Sequence, residues 1–130
     1  MIRLSVVLLI VASAAVALPP LSKVDSINDG LRNVKIADEI RSNCPSISAR
    51  MIAAWSRLDS LKREARGLGY SNAEIDDFVS SKSDRNRLEN EAEAYMTSNG
   101  VSRGNASSYC ALGRSEIQQS SAIGTLLRER

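Results

Sequence analysis

Residues 44–69 read CPSISARMIAAWSRLDSLKREARGLG. Ile47, Met51, Ala54, Trp55, Leu58, Leu61, Ala65 and Leu68 recur there at the spacing of one helix face, and two glycines, Gly67 and Gly69, supply a stop. The stretch predicts an amphipathic helix entered at Pro45 or Ser46. Asp59 and Arg63 stand four apart on its outer face, in the favourable order.

The same period extends to either side. Upstream, Leu31, Val34, Ala37 and Ile40, with Ile36 beside them, predict a first helix capped by Ser26 or Asp29 and ending near Asn43. Cys44-Pro45 ends it, because the residue before a proline is pushed out of the helical region. Downstream, Ser71-Asn72-Ala73-Glu74 is a capping box ahead of Ile75, Phe78 and Val79, which predicts a short third helix. A fourth is expected from about Asp84 to Ser98, with Leu88, Ala92, Tyr95 and Met96 inward. Asn105 is positioned to cap a fifth from Ala106, with Tyr109, Leu112 and Ile117 inward, before an apolar tail of Ile123, Leu126 and Leu127. No stretch alternates long enough to predict a strand. The expected fold class is all-α, a small bundle of about five helices.

The N-terminus has another purpose. Met1 and Arg3 precede an uncharged apolar run from Leu4 to Leu18, which ends in Ala15-Val16-Ala17 and then Pro19-Pro20. Positive start, apolar middle and small-residue exit describe a secretory signal peptide cut after Ala17. A retained membrane anchor is the runner-up; the prolines leave the run short of the roughly 20 residues a spanning helix needs. The expected organisation is a signal over 1–17, an extended leader over 18–25 and one helical domain over 26–130. Two cysteines far apart in an exported chain predict a structural Cys44–Cys110 disulfide rather than a redox pair.

Composition excludes much chemistry. The 130 residues contain no histidine, which removes the commonest general base and metal ligand. With both cysteines bonded, no thiolate remains, and there is no G-x-S-x-G elbow, S-x-x-K pair or phosphate-binding glycine loop. Glu74, Asp76 and Asp77 open the third helix, where its dipole favours acids. Glu89 and Glu93, four apart on the fourth helix, are the only carboxylates offered as a catalytic or cation-holding pair, and no EF-hand order surrounds the acidic segment. No metal and no cofactor is expected. A formal charge of +2 without a basic stripe interleaved with aromatics argues against nucleic acid. Arg57, Lys62, Arg63 and Arg66 give the second helix a basic flank, and with Leu126 and Leu127 they form a candidate partner surface.

Three segments carry a resemblance: Cys44-Pro45-Ser46-Ile47-Ser48-Ala49-Arg50, Gly69-Tyr70-Ser71-Asn72-Ala73-Glu74-Ile75, and Ser108-Tyr109-Cys110-Ala111-Leu112-Gly113-Arg114 with the tail Gly124-Thr125-Leu126-Leu127-Arg128. From about Ile27 to Arg128 the chain resembles an uncharacterised family of small signal-peptide-bearing alphaproteobacterial proteins, defined as a domain of unknown function. The resemblance implies a Gram-negative source and the periplasm, and supplies no functional residues. The expected function is a periplasmic interaction or accessory module without catalysis, with an inner-membrane or periplasmic protein as partner. The alternatives are a helical protein binding a small ligand or metal and, further off, a carboxylate-dependent enzyme.

Overall fold

The computed structural model describes residues 17–130. The signal peptide expected over 1–17, and the anchor that rivals it, fall almost wholly outside the described residues. Five α-helices occupy most of the described chain: α1 (Asp25–Asn43), α2 (Met51–Gly67), α3 (Asn72–Ser80), α4 (Lys82–Ser98) and α5 (Ala106–Gln118). Two short strands, β1 (Ile47–Ala49) and β2 (Leu127–Glu129), join them, with 3-10 turns at Leu21–Lys23 and Gly124–Leu126. Among these residues no helix is long and apolar enough to cross a membrane.

Helix α1 is the axle, packing on α2, α4 and α5. It ends where Pro45 requires, with Cys44 as an extended C-cap. The Cys44–Cys110 disulfide is formed, its Cα atoms 5.2 Å apart across a sequence separation of 66. It therefore pins the end of α1, not the start of α2, to α5. Closing a loop of that length restricts the unfolded chain by roughly 4 kcal/mol in the loop-entropy model.

The five expected helices are present, and two three-residue strands that the sequence did not predict are added to them. Ser46 to Ala49 alternates just long enough for Ile47 to bury completely while its neighbours stay outside. β1 pairs antiparallel with β2, Ile47 opposite Glu129 and Ala49 opposite Leu127. Arg50 N–H then donates to the Leu126 carbonyl at 2.8 Å. These ribbon bonds hold residues 47–50 out of the helix, so α2 begins at Met51. A three-residue strand lies below what periodicity can detect; only its distant partner makes it a strand.

The caps follow the sequence more closely. Ser71 and Glu74 form the expected capping box, and the Asn105 side chain accepts from Ser108 N–H at the head of α5. Helix α4 starts earlier than expected, because the Ser81 hydroxyl accepts from Asp84 N–H. Residues 18–24 are docked rather than free: Leu21 is buried, and the Tyr70 hydroxyl donates to the Pro19 carbonyl.

Burial falls into two clusters. One, around Ile36, Ile40, Ile47, Met96, Leu112 and Leu127, joins α1, α4, α5 and the ribbon. The other, around Leu21, Ile27, Leu61, Ala65, Ile75 and Phe78, joins the start of α1 to α2 and α3. Gly30 brings α1 and α2 together there, since a Cβ at that position would lie 2.5 Å from Leu61 Cδ2.

Candidate interaction surface

The ribbon fixes the first turn of α2 and so the rotation of the whole helix. Leu61 and Ala65 turn under it into the second cluster. That rotation leaves other apolar residues, expected inward from the sequence, on the outside. Met51 is 56% exposed and Trp55 70%, with Leu58 and Leu68 also open, and Ile52, which lies off the predicted apolar face, is 88% exposed beside them. A lone exposed apolar side chain needs no explanation, but a group headed by a tryptophan makes this face the candidate surface of the domain.

Met51, Trp55 and Leu58 line a trough between α2 and the α1, α3 and α4 elements. It consists of two adjoining hollows of about 420 and 480 Å³ that share Leu31, Trp55, Leu58, Phe78 and Val79. The first runs on past Val34 and Leu88 to Leu126; the second runs past Leu61 and Ala65 to Leu21. The trough thus lies where the two buried clusters part, and its walls are overwhelmingly apolar.

Its charges are few and mostly matched. Lys35 lies 3.6 Å from Glu89, Arg41 2.6 Å from Asp38, and Asp59 3.4 Å from Arg63. Burial acts to lower the Lys35 pKa, yet its hydrogen bond to Glu39 and the charges of Glu39, Glu89 and Asp38 raise it, so the ammonium stays charged. The charged lining residues without an oppositely charged group within 4 Å among the described residues are Lys62 and Arg85, both cations.

The anticipated surface is therefore partly assembled and partly dispersed. Lys62 and Arg66 follow Met51, Trp55 and Leu58 along one face of α2 and are exposed, as is Arg63, which is tied to Asp59. Arg57 is exposed on another side of the helix, where its guanidinium lies over Gly30 of α1. Leu126 and Leu127 do not belong to an outer surface. They are 5% and 3% exposed, packed in the first cluster, and Leu126 reaches only the floor of the trough. The ribbon explains this: β2 pairs Leu127 with Ala49, and the turn before it brings Leu126 into the same cluster as Ile47.

The carboxylates are engaged elsewhere. Glu89 faces Lys35, and Glu93 accepts from Arg103 at 2.7 Å. Among the described residues no three acidic or cysteine side chains group as a metal site. Sequence reasoning missed Glu116, which is 5% exposed. Its carboxylate accepts from the Tyr95 hydroxyl at 2.5 Å and from the Ser121 hydroxyl, while Gly124 N–H donates to Ser121 Oγ at 2.9 Å. The hydrogen bond to Glu116, with burial and the nearby negative charge, pushes the Tyr95 pKa up to about 12. Ser120 has φ 48°, and a Cβ at Gly124 would lie 1.9 Å from the Glu116 carbonyl oxygen. The network closes the tight turn that returns the tail to the core. It is a clamp, and every oxygen of it is used internally.

No curated protein and no solved structure matches the chain. The match to a family model runs over residues 19–128, which takes in the trough, the disulfide and the ribbon alike, and the chain belongs to that family of unknown function (DUF5333).

Proposed function

We propose that this chain is an exported interaction module without catalysis, whose working surface is the apolar trough along α2. One observation carries the reading: Trp55, Met51 and Ile52 stand exposed beside a trough bounded by packed helices. Leaving that much apolar surface in water costs stability on the order of 25 cal/mol per Å², and contact with a partner recovers it. Helix-lined apolar grooves are a standard way of holding a protein segment.

Chemistry supports the non-catalytic half of the proposal. The chain has no histidine, its two cysteines are bonded, and Glu89 and Glu93 are each held by a cation. Export is supported by the charge, apolar run and small-residue exit of residues 1–17, and by a disulfide suited to an oxidising compartment. The periplasm is the compartment we assign, with an inner-membrane or periplasmic protein as partner. A second reading has its own support: hollows of about 420 and 480 Å³ are in the size range that holds a small apolar ligand.

A photo-cross-linking residue placed at Trp55, and a control at exposed Gln118 on α5, test the reading in native envelopes. A discrete protein adduct from position 55 alone is expected. Equal labelling from both positions, or none from 55, would sink the interaction surface. Native mass spectrometry showing a retained small molecule in place of a protein adduct would turn the assignment to the second reading.

A further inference from the structure

The charge pattern of the trough says what kind of segment it holds, given that it is the working surface. Met51, Trp55, Leu58, Lys62 and Arg66 are spaced four, three, four and four residues apart, which places all five on one face of α2. That face is apolar in its first half and cationic in its second. Across the trough, Lys35, Arg41 and Asp59 have each found a partner within the fold. Lys62 lines one hollow and Arg85 the other, and neither has a carboxylate within 4 Å among the described residues. Each hollow is therefore left with one unmatched positive charge.

We infer that the trough receives an amphipathic helix of another protein, whose apolar stripe is flanked by carboxylates that meet Lys62 and Arg85. Apolar residues at i, i+3 or i+4 and i+7 of such a helix fill the hollows on either side of Trp55, and its acids take up the charge that the fold leaves unmatched.

Other occupants fit less well. The chain's own apolar run, residues 4–17, contains no carboxylate. A second copy meeting this face would bring Lys62, Arg66 and Arg85 of both chains together, while Asp59 is already bound to Arg63. A flat bilayer touches the rim at Ile52 and Trp55 but leaves the hollows below them unfilled.

The test uses the protein over residues 18–130 with its disulfide formed, and reads the fluorescence of Trp55, the single tryptophan of the chain. The probes are a tryptophan-free peptide of about 18 residues with a leucine stripe flanked by Glu, its twin with Lys for Glu, and phosphatidylglycerol vesicles. The Glu peptide is expected to blue-shift Trp55 and to bind about tenfold more tightly than the Lys twin at low salt, with the gap closing as salt rises. The double variant Lys62→Glu/Arg85→Glu, confined to surface charges, is expected to reverse that order. Equal affinity for the two peptides overturns the acidic-helix inference and leaves the interaction surface standing. Dimerisation that excludes both peptides, or vesicle binding without peptide binding, overturns it in favour of a second copy or a lipid surface. A Trp55 signal that responds to no probe overturns it together with the reading beneath it.

Discussion

Helix α1 serves two sides of the domain that are built differently. On the side facing α4 and α5, Ile36 and Ile40 are completely buried, a disulfide crosses the layer, and the ribbon covers what the helices leave open. On the side facing α2 and α3, the later turns of α2 close on the early turns of α1 through Leu61 and Gly30, and the early turns of α2 stay open at Trp55. The first side contains the covalent tie, the buried Glu116 network and both strands; the second has the exposed tryptophan and Lys62, and Arg85 of α4 stands where the two sides meet. The closed packing and the proposed contact surface thus fall on different parts of the domain, and α1 contributes to both. The difference teaches that the open side is not a badly packed core. Its exposed residues are held in place by the closed side, through the Arg50–Leu126 bond that sets where α2 begins.

Substitutions on the two sides should then behave unlike one another. Deleting residues 122–130 removes Ile123, Leu126 and Leu127 from the first cluster together with β2, and we expect the cooperative thermal transition to disappear. An unchanged melting temperature would contradict the closed side as described. The double variant Cys44→Ala/Cys110→Ala should lower unfolding free energy by about 4 kcal/mol, measured by urea titration. Tyr95→Phe leaves the buried Glu116 carboxylate one donor short and should lose about 1–2 kcal/mol.

The same pair gives a pH dependence of known sign. Folding raises the Tyr95 pKa from 10.0 to about 12, so the fold favours its protonated form. That contribution is complete below about pH 10 and is lost as pH rises through about 12. Tyr95→Phe should flatten the decline over that window. On the open side, Trp55→Gln should change stability by less than about 0.5 kcal/mol while abolishing cross-linking from a photo-reactive residue placed at Leu58, which lines both hollows. A loss comparable to that of a core residue would mean that α2 is covered in solution.

Much of the helix layout could be read from residue order. Cys44-Pro45 marked the end of α1, Ser71 to Glu74 the cap of α3, and Asn105 the start of α5, because each is a local interaction within a few residues. The apolar residues of α2 were legible as helical but not as exposed. Met51, Trp55 and Leu58 have the same spacing relation to Leu61 and Ala65 whichever way the helix is turned, and the turn is set by a ribbon whose halves are far apart in sequence. Glu116 was invisible for a similar reason: nothing near it announces burial, and its partner Tyr95 comes from another helix. The unmatched cations became recognisable only after Lys35, Arg41 and Arg63 had been assigned partners in space.

The pairing of Ile47–Ala49 with Leu127–Glu129 also imposes an order in time. A chain emerging from its N-terminus can form α1 to α4 as fluctuating local helices, but Ile47 has no cover and Cys44 no partner until the residues around 110 and 127 follow. Contacts of such long range come late and slow the closing step. Until residues 127–129 follow, β1 lacks its partner strand and Ile47 its cover.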